Sequence, residues 1–205
     1  MDLKKIHNRD CLEAMREMND NEFDLAIVDP PYGLNYESRV FKDGKKWDSN
    51  IPSKQYFNEL KRVSKNQIIW GGNFFLDYLG ATKSMIVWDK KDTARNGLWK
   101  SELAWCSTDK GSYIFRHKQI GNRGFYIVEC ERIHPTQKPV KLYEWLLMNY
   151  ANDGDKILDT HLGSGSIAIA CHNLGFDLTG YELDENYYNN AIKRIKNHQA
   201  QLRIL

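Results

Sequence analysis

The feature that most restricts the fold of this chain lies near its C-terminal end. Lys156 to Leu158 is a short apolar run. Asp159-Thr160-His161-Leu162-Gly163-Ser164-Gly165-Ser166 is a glycine-bearing turn, and Ser164 to Leu174 has helical character. Phe176 to Tyr181 is a second apolar run ending on Glu182, and Asp184 to His198 is helical again. This order is a βαβα unit, whose two strands lie parallel because a helix must carry the chain back along the sheet. Parallel strands need helices on their faces, so the unit commits the chain to an α/β fold with a mostly parallel central sheet.

Upstream residues extend the same pattern. Asp24 to Val28 reads as a strand that stops at Asp29-Pro30-Pro31, since two prolines cannot continue a central strand. Ser53 to Val63 places Tyr56, Phe57, Leu60 and Val63 at helical spacing. Gln67 to Trp70 (closed by Gly71-Gly72), Ser84 to Trp88, Ser101 to Ser107 and Gly124 to Cys130 read as further strands, and Val140 to Tyr150 as a helix. Two polar, basic stretches, 33–50 and 89–100, have loop chemistry.

Bulk properties mainly exclude. At 205 residues, 41% hydrophobic and 27% charged, the chain suits one compact domain. A net charge of +2 is too mild to argue for nucleic acid by itself. No signal peptide is visible and no apolar run approaches the roughly 18 residues needed to span a bilayer. Cys11, Cys106, Cys130 and Cys171 are scattered without a CxxC, which suits reduced thiols in a cytoplasmic protein. The histidines do not combine with them at ligand spacing, so no metal site is expected.

Two motifs carry chemistry. In the turn at Asp159 to Ser166, Gly163 and Gly165 let the backbone approach a ligand closely, and the following helix offers free N–H groups. Glu182, at the end of the next strand, can accept hydrogen bonds from both hydroxyls of a ribose. The combination indicates an adenosine-containing cofactor, and Gly163-x-Gly165-x-x-Ala168 alone also satisfies a dinucleotide fingerprint. Asp29-Pro30-Pro31-Tyr32 is the second motif. An exocyclic amino nitrogen is a poor nucleophile because its lone pair is delocalised into the ring. The Asp29 carboxylate and the Pro30 carbonyl, held by two fixed proline φ angles, can accept its hydrogens and pull it towards tetrahedral geometry. Tyr32 offers a face for a flipped base, and a negative group beside a nitrogen that gains positive charge lowers the barrier.

Asp29-Pro30-Pro31-Tyr32 resembles the catalytic motif of the DNA adenine-N6 and cytosine-N4 methyltransferases. Its position ahead of the cofactor loop is similar to their β group. The resemblance covers nearly the whole chain and implies a Rossmann-like methyltransferase fold. It implies a target-base half at 1–133 and a cofactor half at 134–205. By the same resemblance the cofactor is S-adenosylmethionine rather than NAD, the Asp10 and Cys11 region lines its adenine, and His134, Thr136, Gln137 and Lys138 help to hold its methionine part. Asp159, His161, Gly163, Ser164 and Gly165 would form its cradle, and Glu182 would bind its ribose. Two departures stand out. Thr160-His161 replaces the family's Pro-Phe, which introduces a titratable group, and about a hundred residues between Tyr32 and His134 leave little for a recognition domain.

The expected activity is site-specific methylation of adenine in DNA, since cytosine-N4 members more often carry Ser at the position of Asp29. A cytosine-N4 enzyme, an RNA adenine methyltransferase and a non-catalytic nucleic-acid-binding protein of the same fold are the rivals. Carbon-5 methylation is excluded because no Pro-Cys occurs. Arg39, Lys42, Lys45, Lys46, Lys90, Lys91 and Arg95 are candidate phosphate contacts, Trp47 and Trp99 candidate base contacts, and Asn73 a candidate pocket residue. A homodimer would add surface for holding DNA. A phage setting suits so small an enzyme, and the residues neither imply nor exclude a companion restriction enzyme.

Overall fold

The computed structural model describes residues 2–35, 48–91, 99–117 and 133–201. In chain order the elements are β1 (Ile6–His7), α1 (Cys11–Arg16), β2 (Phe23–Val28), α2 (Lys54–Val63), β3 (Ser64–Trp70), α3 (Leu76–Leu79), β4 (Ser84–Asp89), β5 (Ser101–Cys106), β6 (Tyr113–Arg116), α4 (Val140–Tyr150), β7 (Lys156–Asp159), α5 (Ser166–Leu174), β8 (Asp177–Tyr181) and α6 (Glu185–Gln199). The strand expected at Gly124 to Cys130 lies outside the described residues.

Eight strands form one sheet in the order β1-β8-β7-β2-β3-β5-β4-β6. Every pairing is parallel except those of β5 with β3 and with β4. The mostly parallel sheet expected from the βαβα unit is therefore present, with β5 as its one reversed strand. β2 is the hinge of the arrangement, paired to β3 on one side and, with Leu25 opposite Ile157, to β7 on the other. From β2 the chain builds outward to β3, then returns much later to build β7 and β8 on the opposite side. This is a topological switch point, where the carboxyl ends of neighbouring strands open a crevice.

Alternation along the strands divides the core in two. Leu25, Ile27, Ile68, Trp70, Ile86 and Trp88 face α4 and α5, packing with Leu142, Leu146, Leu147 and Ile167. Phe23, Ala26, Val28, Ile69 and Trp105 face α1 and α2, packing with Met15, Tyr56, Phe57 and Leu60. Both faces of the central strands are covered, which is why those strands read as unbroken apolar runs. Leu146 is fully buried. Leu146→Ala should destabilise the protein by about 2–5 kcal/mol, measured by urea unfolding, because the sheet beneath it cannot collapse into the space.

Candidate active site

The crevice edge is built from the ends of strands. Asp29 follows β2, and the chain then turns back through Pro30, which is buried, and Pro31. Asp48 stabilises that turn. Its Oδ1 accepts from the N–H groups of Tyr32 at 2.7 Å and Gly33 at 3.0 Å, and its Oδ2 accepts from Leu34 N–H at 3.3 Å. The Tyr32 ring is thereby folded over Asp29, and its hydroxyl donates to Asp29 Oδ1 at 2.7 Å. Gly71, at the end of β3, has φ +68°, and a Cβ there would stand 2.2 Å from the Tyr32 ring. A glycine is required for backbone to lie this close to the ring.

Tyr32 stacks on Phe74, with centroids 5.3 Å apart, and Phe74 stacks on Trp99 at 5.7 Å. Trp99 is exposed, and Asn73 is exposed near it. Both line a cavity of about 160 Å³ that also reaches Tyr32 and Glu102. A larger hollow of about 790 Å³, lined by residues such as Lys141, Met148, His172 and His198, is formed by other residues altogether.

Across β7 lies the second half of the crevice. Asp159 ends β7, and Gly163 and Gly165 both have left-handed backbone, with φ +52° and +72°. Glu182 shapes this loop from β8. Its Oε2 accepts from Gly163 N–H at 2.8 Å and its Oε1 from Asp184 N–H at 2.9 Å. His134 packs against Gly163 and meets the Tyr187 ring edge-on at 4.4 Å between centroids. Thr136 O–H lies 3.2 Å from His134 Nδ1, and Gln137 Oε1 accepts from Ile133 N–H at 3.0 Å. Asp10 caps α1 through Glu13 N–H at 2.9 Å, and Cys11 begins that helix. Burial pushes the Cys11 thiol up to about 12, so it is no nucleophile. The buried Ser164 carbonyl accepts from Arg194 at 2.8 Å.

A profile of the DNA methylase family matches residues 76–193. The chain belongs to the DNA methylase family. It is 22% identical to the type II methyltransferase M.HpaI of Haemophilus parainfluenzae, over 90% of this chain and 72% of that one. It is also 22% identical to M1.MboII of Moraxella bovis, over 93% of this chain and 96% of that one. Among solved structures, the M1.HpyAVI–SAM complex superposes with a TM-score of 0.62 at 23% identity, covering 92% of this chain and 98% of that one. The cytosine-N4-specific PvuII DNA methyltransferase superposes with 0.65 at 12% identity, covering 98% and 87%. With its target-base motif ahead of its glycine loop, this methylase is an amino-methyltransferase of the β group.

Several residues of the methylase stand elsewhere than the sequence suggests. Lys138, grouped with cofactor contacts, places its amino group on Asp29 Oδ2 at 2.5 Å and meets Glu102 Oε2 at 3.0 Å. Lys90, expected to face phosphate, is buried against Glu102 Oε1 at 2.5 Å. A buried ammonium already paired with a carboxylate has no charge to offer DNA, so Lys90 leaves the set of phosphate contacts. Lys91 stays exposed, while Arg39, Lys42, Lys45, Lys46, Trp47 and Arg95 lie outside the described residues. Asp48 and Glu102 escaped sequence reading altogether. Among the described residues no cluster of His, Cys, Asp or Glu could hold a metal, and no helix is long and apolar enough to cross a membrane.

His161 is internal. Its Nδ1 lies 2.9 Å from the Thr160 hydroxyl, which lies 2.7 Å from the Tyr56 hydroxyl, and its ring meets Tyr56 edge-on. Burial pulls the imidazole down to about 4, so it is neutral near pH 7. Burial pushes the Asp159 carboxyl up to about 8, against the His161 N–H and with repulsion from Asp29 and Glu182. The two act in opposite senses. Folded Asp159 keeps a proton that the unfolded chain loses above its ordinary value of 3.8, so its contribution falls as pH rises towards about 8. Unfolded His161 takes a proton below 6.5 that the folded ring refuses down to about 4, so its contribution falls as pH drops through that window. Asp159→Asn should therefore gain stability relative to wild type as pH is raised from 5 to 8, read as the difference in urea midpoints.

Proposed function

We propose that this methylase transfers a methyl group from S-adenosylmethionine to the N6 amino group of a flipped-out adenine in DNA. The observation that carries this reading is the Asp29 carboxylate, held at the end of β2 with one oxygen engaged, among the described residues, by the Tyr32 hydroxyl alone. The neighbouring strand β7 leads into the glycine loop, so acceptor and cradle share one crevice.

The donor set fits the cofactor. Glu182 is a carboxylate beside a glycine N–H, placed where a ribose diol would lie, and the left-handed Gly163 and Gly165 leave the loop without side chains on that path. Asp10 and Cys11 would line the adenine, and His134 and Thr136 would flank the methionine part. When bound, the cofactor supplies an electrophilic methyl group on a sulfonium. The remaining work belongs to the chain. Asp29 and the Pro30 carbonyl accept the hydrogens of the target amino group and localise its lone pair. Their negative potential stabilises the positive charge that gathers on that nitrogen. Tyr32, backed by Phe74 and Trp99, supplies the aromatic surface on which the base rests. His161, neutral and walled in by Tyr56, serves as the flat side of the cradle where relatives place Phe.

Asp at position 29 favours adenine. The fold of the PvuII enzyme, which is specific for cytosine N4, is so similar that only the product decides. Incubation with unmethylated duplex DNA and the cofactor, digestion to nucleosides and mass spectrometry should yield N6-methyladenine. N4-methylcytosine would overturn the base assignment, and methylation of RNA in preference to DNA the substrate assignment. Asp29→Ala should lower transfer by about 100- to 1,000-fold or more while equilibrium binding of S-adenosylmethionine is largely spared.

A further inference from the structure

Asp29 is engaged at both oxygens before any base arrives, by donors that differ in their freedom to leave. On Oδ1 is a neutral hydroxyl, that of Tyr32, whose half-buried ring lines the cavity shared with Trp99. On Oδ2 is the Lys138 ammonium, whose side chain is 3% exposed. Lys138 also meets Glu102, an ion contact whose angle falls short of a hydrogen bond, and Glu102 holds Lys90 through its other oxygen. Four charges thus run in a line, Asp29–Lys138–Glu102–Lys90, two of each sign, with both lysines buried and both carboxylates partly exposed. The ring of Trp70 lies 5.3 Å from the Lys138 ammonium, and that of Trp88 lies 5.0 Å from the Lys90 ammonium.

We propose that Lys138, clamped by Glu102, is a positioning residue for the target-base site: it fixes Oδ2 of Asp29 so that Oδ1, given up by the Tyr32 hydroxyl, receives the amino group of the base. This rests on the methyl-transfer reading above. Glu102 matters because of charge. A lysine paired to Asp29 alone would cancel the negative potential that the reacting nitrogen needs. Shared with Glu102, the lysine orients the carboxylate without cancelling it, and Lys90 balances the second carboxylate. Burial alone would lower the Lys138 amine, but Asp29 and Glu102 outweigh it and hold the amine above its ordinary value. Burial would likewise raise Glu102, but Lys138 and Lys90 hold it below. Both groups therefore act as fixed charges rather than proton carriers. The chain supplies them from remote places. Lys138 arrives from the segment before α4, and Glu102 stands near the start of β5, which the reversal of that strand brings to the same edge as the carboxyl end of β2.

Steady-state methyl transfer to unmethylated genomic DNA, with equilibrium binding of S-adenosylmethionine measured in parallel, separates this role from cofactor binding. Lys138→Met is expected to lower kcat about 100-fold, with the cofactor Kd changed by less than about threefold. Lys138→Arg should recover most of the rate. Glu102→Gln should lower kcat in the same direction, and adding Lys90→Met should not restore it, because Lys138 is then left paired with Asp29 alone. A Lys138→Met enzyme whose defect is a cofactor Kd raised more than about tenfold, with normal kcat at saturation, overturns the proposal. So does a Glu102→Gln enzyme with wild-type kinetics. If Lys138→Met does not fold, Glu102→Gln decides, with a lowered kcat and a cofactor Kd changed by less than about threefold as the expected result. A wild-type protein that transfers no methyl group overturns the functional reading and this proposal with it. Wild-type transfer with unaffected variants overturns the proposal alone.

Discussion

Everything in this structure depends on the parallel pairing of β2 with β3 on one side and β7 on the other. Parallel neighbours cannot be joined by a tight turn, so each needs a crossover, and the crossovers cover both faces with helices. Two separate cores result, one on each face of the same strands. The same pairing sets the carboxyl ends of β2 and β7 side by side, which places Asp29 next to the loop that begins at Asp159. The crevice is a consequence of strand direction before it is a matter of any particular side chain.

Crowding carboxylates along that edge has an electrostatic cost that the structure meets in two ways. Asp29 and Glu102 are matched by buried lysines, and truncation of either partner would leave a bare ion in a low dielectric. Among the described residues Asp159 has no cation in contact, and burial raises its carboxyl to about 8. Glu182 lies between these cases. It is raised by burial and restrained by the N–H groups of Asp184 and Gly163.

The sequence makes legible those parts of the fold that are local. β2 and β3 end in apolar runs buried on both faces, β4 alternates buried with half-buried residues, and the Asp159 to Glu182 unit combines periodicity with turn chemistry. β1 is two residues long and β6 is a largely exposed strand, so neither carries a pattern to read. At the site, Asp29, Tyr32, Gly163 and Glu182 are recognisable because each motif is contiguous. The partners of Asp29 are not. Lys138 is 109 residues away, and Glu102 joins it only because β5 runs against its neighbours. Asp48 is invisible for a similar reason. Its acceptors cap a turn that belongs to another stretch of chain. Lys90 looks like one more loop cation until its carboxylate is seen.

The edge pairing of β1 with β8 has a consequence for how the molecule is made. Ile6 pairs with Gly180, and His7 with Tyr181. β1 leaves the ribosome long before β8 and has no such partner until β8 has followed, on the order of ten seconds or more at ordinary elongation rates. Until then the α1 surface that packs beneath β2 must be satisfied without its neighbouring strand. During synthesis β2 and β3 can therefore pair before the β1–β8 edge is closed, and β1 waits for a strand made long after it.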